Sequence, residues 1–240
     1  MSTFLWIIFP YLCLASFFIG LVWRYRFDQF GWTSRSSQMY EDRVLAVASP
    51  LFHFGILGVF AGHFLGLVIP ESATVALGIP ESTYHLIAEV GGVTTGLMTV
   101  AGLLLLIARR GLTLSIFQAT TPMDVIMYLM LGAVVALGMY NTIGLNVLGP
   151  GYDYRLDVSV WFRGVFLLQP DAGLMASADL SFQIHALLAF GLVAIMPYTR
   201  LVHLLSVPLG YLVRPYVVYR TRDDDPGARP ERRGWGRLGF

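Results

Sequence analysis

Lysine does not occur in this sequence, so all sixteen basic residues are arginine, and cysteine occurs once, at Cys13. A lone thiol cannot hold an iron–sulfur cluster, and there is no CxxCH run to tether a haem covalently. Charge is also scarce. Charged residues make up 13% of the chain and the formal net charge is +1, so the overall charge points to no nucleic-acid partner.

Long apolar runs take the place of charge. Hydrophobic residues make up 56% of the 240 positions and the mean hydropathy is +0.65, well above a globular composition. The expected fold is all-α and integral to a membrane: one domain, residues 1–220, with five helices of about 20 residues each. The spans are placed near residues 3–23, from 50 to near Pro70, 85–107, 124–147 and 181–204. The apolar N-terminal run has no preceding charge and is followed by Arg24 and Arg26, which predicts a retained span rather than a cleaved signal. Residues 221–240 form a basic tail.

The arginines are sorted by side. Fourteen fall at one end of the five-span arrangement, and only Arg155 and Arg163 lie in the opposite loop, 148–180. Positive charge marks the cytoplasmic side, so the N-terminus is expected outside. Within that outer loop, LDVSVWFRGVFLL predicts an amphipathic helix lying at the interface.

The stretch PLFHFGILGVFAGHFLG, residues 50–66, carries His53 and His63 inside an apolar span. Intramembrane histidine is costly and marks a cofactor, an ion path or a proton path. Ten residues of α-helix rise about 15 Å, so these two imidazoles cannot share one metal. The last span carries His185 and His203, eighteen residues or about 27 Å apart on a continuous helix. The two spans run antiparallel, which pairs His53 with His203 at one depth and His63 with His185 at another. The unequal rises rule out two straight parallel rods, and Pro197 is the expected place for a kink.

Two histidines per level, without a neighbouring thiol or carboxylate, suit the two axial positions of a six-coordinate haem better than a four-ligand zinc site. A haem-free channel or transporter lined by the same histidines is the alternative. Gly55, Gly58, Gly62 and Gly66 form a small-residue stripe that admits either a packed helix or a flat macrocycle.

These residues and four segments in order resemble the gamma, or cytochrome b, subunit family of respiratory membrane-bound nitrate reductase. The segments are SSQM at 37–40, LFHFGILGVFAGHFLG at 51–66, ATTPMD at 119–124 and RLVHLLSVPLGYLVRPY at 200–216. The resemblance implies two non-covalent b-type haems, the proximal one held by His53 and His203 and the distal one by His63 and His185. It implies quinol oxidation at the outer face, proton release outside, and electron transfer inward to an iron–sulfur beta subunit and a molybdenum-containing alpha subunit. It also implies the cytoplasmic membrane of a prokaryote and anaerobic respiration, with membrane lipid and the quinol pool as the other partners. A related dihaem subunit of another reductase has the same signature. Near the distal haem the family has a quinol-site lysine, and this chain has Thr83 at about that place. The quinol-facing set expected from these matches is His63, Gly62, Thr83, His85 and Glu89. His85 and Glu89 stand one helical turn apart and are able to relay quinol protons, or simply to form a solvated pair.

Overall fold

The structure, a computed structural model, describes residues 2–206 of the chain. The expected basic tail and the motif beyond Ser206 lie outside those residues. Among the described residues there is no strand, and five helices are long and apolar enough to cross a membrane. They are α1 (Phe4–Phe27), α2 (Arg43–Val68), α4 (Glu81–Leu112), α6 (Pro122–Val147) and α9 (Leu180–Tyr198). Short helices α3 (Glu71–Ala76), α5 (Leu114–Gln118), α7 (Val158–Phe166) and α8 (Ala172–Ser177) fill the connections. The fold is therefore the expected all-α bundle. Several boundaries differ, and α2, for one, starts at Arg43 rather than at 50. Helix α4 starts at Glu81 and spans 32 residues, about 48 Å, longer than a hydrocarbon core of about 30 Å. Helix α9 ends at Tyr198, short of 204, for a reason that proves central to the site.

Local chemistry explains the ends. Thr121 accepts from the Asp124 N–H while the Asp124 side chain accepts from the Thr121 N–H, a capping box that starts α6 at Pro122. Asp179 caps α9 through the Ser181 N–H. Arg109 and Arg110 sit in the last turn of α4, where positive charge complements the helix dipole. In α1 the turn before Pro10 is π-wound, Phe4–Ile8, and this wider turn relieves the proline ring against the preceding carbonyls.

Helix α2 packs along α4, and glycines make the approach possible. A Cβ on Gly55 would fall 2.6 Å from the Thr99 backbone nitrogen, and one on Gly102 would strike the backbone of Phe52. The stripe is thus mainly a helix-packing seam, of the close kind small residues permit. Helix α1 packs on α9, tied by Ser16 Oγ donating to Ala194 O and by Arg24. At the end of the bundle holding the 148–179 loop, α7 is buried through Trp161 and Val165. Trp161 meets Trp6 edge-on at 5.9 Å and donates to its carbonyl. The expected amphipathic helix is there, docked on α1 and the end of α2. Many large apolar side chains remain exposed around the bundle, among them Phe18, Ile19, Phe54 and Leu129, a surface suited to lipid rather than water.

Candidate functional site

Helix α9 stops where two polar groups, the Arg24 guanidinium and the Thr199 hydroxyl, take over its carbonyls. Met196–Tyr198 tighten into a 3₁₀ turn around Pro197, and Thr199 is extended at φ −113° and ψ 178°. The buried Arg24 of α1 donates from Nε and Nη2 to Pro197 O at 2.9 and 2.7 Å, and Thr199 Oγ1 donates to Met196 O. These bonds satisfy carbonyls that a continuing helix would have used. The chain then winds as 3₁₀ over Arg200–Ser206, carrying His203.

That break removes the mismatch in helical rise. Because His203 is not on the α-helix of His185, the two histidines are not held about 27 Å apart along one axis. The structure places His53 against His203, with ring centres 6.1 Å apart, and His63 against His185, at 6.0 Å. These are the pairs expected from antiparallel order. The ring planes are inclined by 65° in the first pair and by 22° in the second.

The hydrogen bonds set the ring chemistry. His53 Nδ1 lies 2.7 Å from Ser49 O, His63 Nδ1 lies 2.8 Å from Val59 O, and His203 Nδ1 lies 2.5 Å from Arg200 O. A carbonyl only accepts, so each Nδ1 carries the proton and each Nε2 keeps a lone pair. This is how metal-ligating histidines are commonly oriented. His185 differs. Its Nδ1 is buried without a hydrogen-bond partner among the described residues, and Gly138 of α6 provides the room for its ring, since a Cβ there would lie 3.2 Å from His185 Cε1. Two imidazoles sharing one metal through Nε2, with bonds of about 2 Å, have ring centres about 6 Å apart. Both pairs fit that spacing, so each is able to hold one bis-histidine iron. Neither pair gathers a third His, Cys, Asp or Glu; among the described residues the one such trio, Glu81, His85 and Asp153, lies elsewhere.

Around His203 the support is ionic. Arg200 places Nε 2.9 Å from Asp124 Oδ1 and Nη2 2.7 Å from Asp124 Oδ2, while its carbonyl receives the His203 Nδ1–H. Arg109 grips Glu41 and both the hydroxyl and the carbonyl of Ser37. A cavity of about 590 Å³ opens here, lined by His53, His203, Phe52, Arg109, Arg110 and Arg200 among others. Three of the motif segments, SSQM, ATTPMD and the start of RLVH, therefore build one polar scaffold at the arginine-rich end.

At the opposite end α2 becomes π-wound over Phe64–Val68 directly after His63, and α6 does so over Tyr140–Val147. Such widened turns are frequent at functional sites. Gly62 is exposed with open space beside it, and Thr83 is exposed in the first turn of α4. The expected pairing of His85 with Glu89 does not form. His85 Nε2 lies 3.2 Å from Glu81 Oε1, a turn earlier, and Glu89 is half-buried without an ion pair to it. Glu81 also receives Arg155 Nη1 at 3.1 and 3.2 Å. Sequence reasoning missed Glu81, Arg155 and the Tyr84–Tyr154 pair. The one signal was that Arg155 stands apart from the arginine-rich end.

Comparison with known proteins adds the family. The family described as "Nitrate reductase gamma subunit" matches residues 2–222. The Nitrate reductase gamma chain of Bacillus subtilis is 43% identical over 91% of this chain and 97% of its own length, and the Respiratory nitrate reductase 1 gamma chain of Escherichia coli is 31% identical over 92% and 98%. The Nitrate reductase-like protein NarX of Mycobacterium tuberculosis is 51% identical over 98% of this chain, which spans 36% of that protein's length. With its five membrane-crossing helices, the chain belongs to the nitrate reductase gamma subunit family.

Proposed function

We propose that this chain is the quinol-oxidising, dihaem cytochrome b subunit that anchors a respiratory nitrate reductase to the cytoplasmic membrane of a prokaryote. The observation that carries the reading is the pair of imidazole pairs, 6.1 and 6.0 Å between ring centres, at two depths of a membrane bundle. His53 and His203 hold the proximal haem, and His63 and His185 the distal one. Bound there, the two haems supply one-electron transfer across the membrane. The chain orients each imidazole by a backbone or packing contact and keeps the pairs apart on α2, at about 15 Å of rise.

The arginine-rich end faces the cytoplasm and the N-terminus lies outside, as the distribution of arginine supports. Quinol reaches the chain from the membrane at the outer level, beside His63 and the open side of Gly62, with Thr83, His85 and Glu89 flanking. Protons leave outward and electrons inward, so turnover builds a membrane potential. At the cytoplasmic end the partners are an iron–sulfur beta subunit and a molybdenum-containing alpha subunit that reduces nitrate. The alternative is that the same dihaem unit serves another cytoplasmic reductase; copurifying subunits separate the two.

The test is a reduced-minus-oxidised spectrum with a pyridine haemochrome count on the purified chain. Two b-type haems per chain are expected, with each single replacement, His53→Ala or His63→Ala, removing one. Folded protein without haem overturns the reading in favour of the histidine-lined channel.

A further inference from the structure

At the outer end, Tyr154 and Tyr84 place their hydroxyl oxygens 3.2 Å apart, within hydrogen-bonding distance. Tyr154 leans on α2 at Gly66, where an added Cβ would fall 2.5 Å from the phenolic oxygen. Gly66 is one turn beyond Gly62, about 6 Å along the axis, and three residues beyond His63. On the other side, the Tyr84 ring carries the Arg155 guanidinium at 3.8 Å. Arg155 bonds both oxygens of Glu81, and His85 and Asp153 bring ligand atoms within 4.8 Å of that carboxylate. Glu81 and His85 are about one-third exposed, so the cluster reaches the surface.

We propose that the Tyr154–Tyr84 hydroxyl pair is the proton exit of the quinol pocket, passing quinol protons to Glu81, His85 and Asp153 at the outer surface. This rests on the quinol-oxidising reading. A hydroxyl donates and accepts at once, so a proton taken by Tyr154 releases one to Tyr84 and then to the cluster, and both phenols end as they began. Burial and the Tyr84 hydroxyl hold the Tyr154 phenol well above its usual range, so it works as a neutral relay and not as a phenolate base. For each quinol, two O–H bonds break, quinone forms, two protons leave by this route, and two electrons leave by way of the bound haems to the cytoplasmic acceptor.

The charges facing the relay are Glu81 and His85 from α4, Asp153 and Arg155 from the loop, and Arg163 of α7, which donates to Leu67 O beside Gly66. Arg155 bridges the Tyr84 ring and the Glu81 carboxylate. It also argues against a divalent-cation site in the trio, because its guanidinium already neutralises Glu81. Arg155 Nε is buried without a partner among the described residues, leaving one donor for a ligand oxygen.

The test uses the complete membrane complex in proteoliposomes with a reduced short-chain quinol. Stopped-flow absorbance follows haem reduction, and an impermeant pH dye follows proton release. Tyr154→Phe and Tyr84→Phe each remove one hydroxyl and little else. Both are expected to slow quinol-driven haem reduction and proton release by about a hundredfold, the lower range for a positioned proton transfer, with haem content and the dithionite-reduced spectrum unchanged. If one variant fails to assemble, the other decides. Rates within about twofold of the parent in an assembled variant overturn the relay while the quinol reading stands. A parent with two haems that quinol does not reduce overturns both.

Discussion

Arg200 and Asp124, on different elements and 76 residues apart, form a two-bonded ion pair of 2.9 and 2.7 Å, with both side chains largely buried. The same arginine gives its carbonyl to His203. One residue therefore joins the capping box that begins α6 to a proposed haem ligand. Replacing Asp124 by alanine strands a buried guanidinium, and such broken pairs cost about 3–5 kcal/mol. The expected outcome is a clear drop in thermal unfolding temperature in detergent and loss of the haem signal assigned to His53 and His203. Arg200→Lys keeps the charge but not the fork, and should recover only part of the loss.

Gly138→Val tests the distal pair. Even a bare Cβ at this position lies 3.2 Å from His185 Cε1, and the branched side chain reaches further. The His185 ring must shift. One haem per chain is expected in the pyridine haemochrome count, with the proximal signal kept.

Two glycines of the same stripe should behave differently. Gly55→Ala puts a methyl 2.6 Å from the Thr99 backbone nitrogen, whereas Gly62→Ala meets nothing within 4 Å. The first should lower stability by about 1–3 kcal/mol, as overpacking does. The second should leave stability unchanged or slightly raised. Thermal unfolding of the two variants side by side reads the difference.

The loop at the arginine-rich end should loosen in acid. The Val44 N–H and the Arg109 guanidinium both bond the Glu41 carboxylate and hold it below its ordinary value of 4.5. A depressed carboxylate stabilises the fold above its unfolded pKa, and that contribution fades as pH falls through the folded value. Protease nicking within residues 28–42 should therefore increase as pH drops below about 4.5. Glu41→Gln should show the increase already at neutral pH.

Much of this molecule could be read along the chain. Helices that cross lipid must satisfy their backbone internally and stay apolar, so their number and order follow from hydropathy. The histidines stand out because ionisable side chains are costly at that depth, and antiparallel order was enough to pair them. The small-residue stripe was legible as a feature, but its role was not: helix α4 occupies Gly55 and Gly58, Tyr154 occupies Gly66, and Gly62 alone stays open.

The sequence by itself determined the five spans, the sorting of arginine to one end and the four histidines in or next to two of those spans, because hydropathy and charge are local properties of the chain. Only the tertiary structure decided where α9 ends. Pro197 marks a possible break, but Arg24, 173 residues away, and Asp124 hold the turn that brings His203 to His53. It likewise decided that His85 meets Glu81 rather than Glu89, because both are one turn from His85 and the choice depends on how the side chains around them pack. Contacts between residues distant in sequence leave no periodic trace in it, and here they set the geometry of both ends of the proposed electron path.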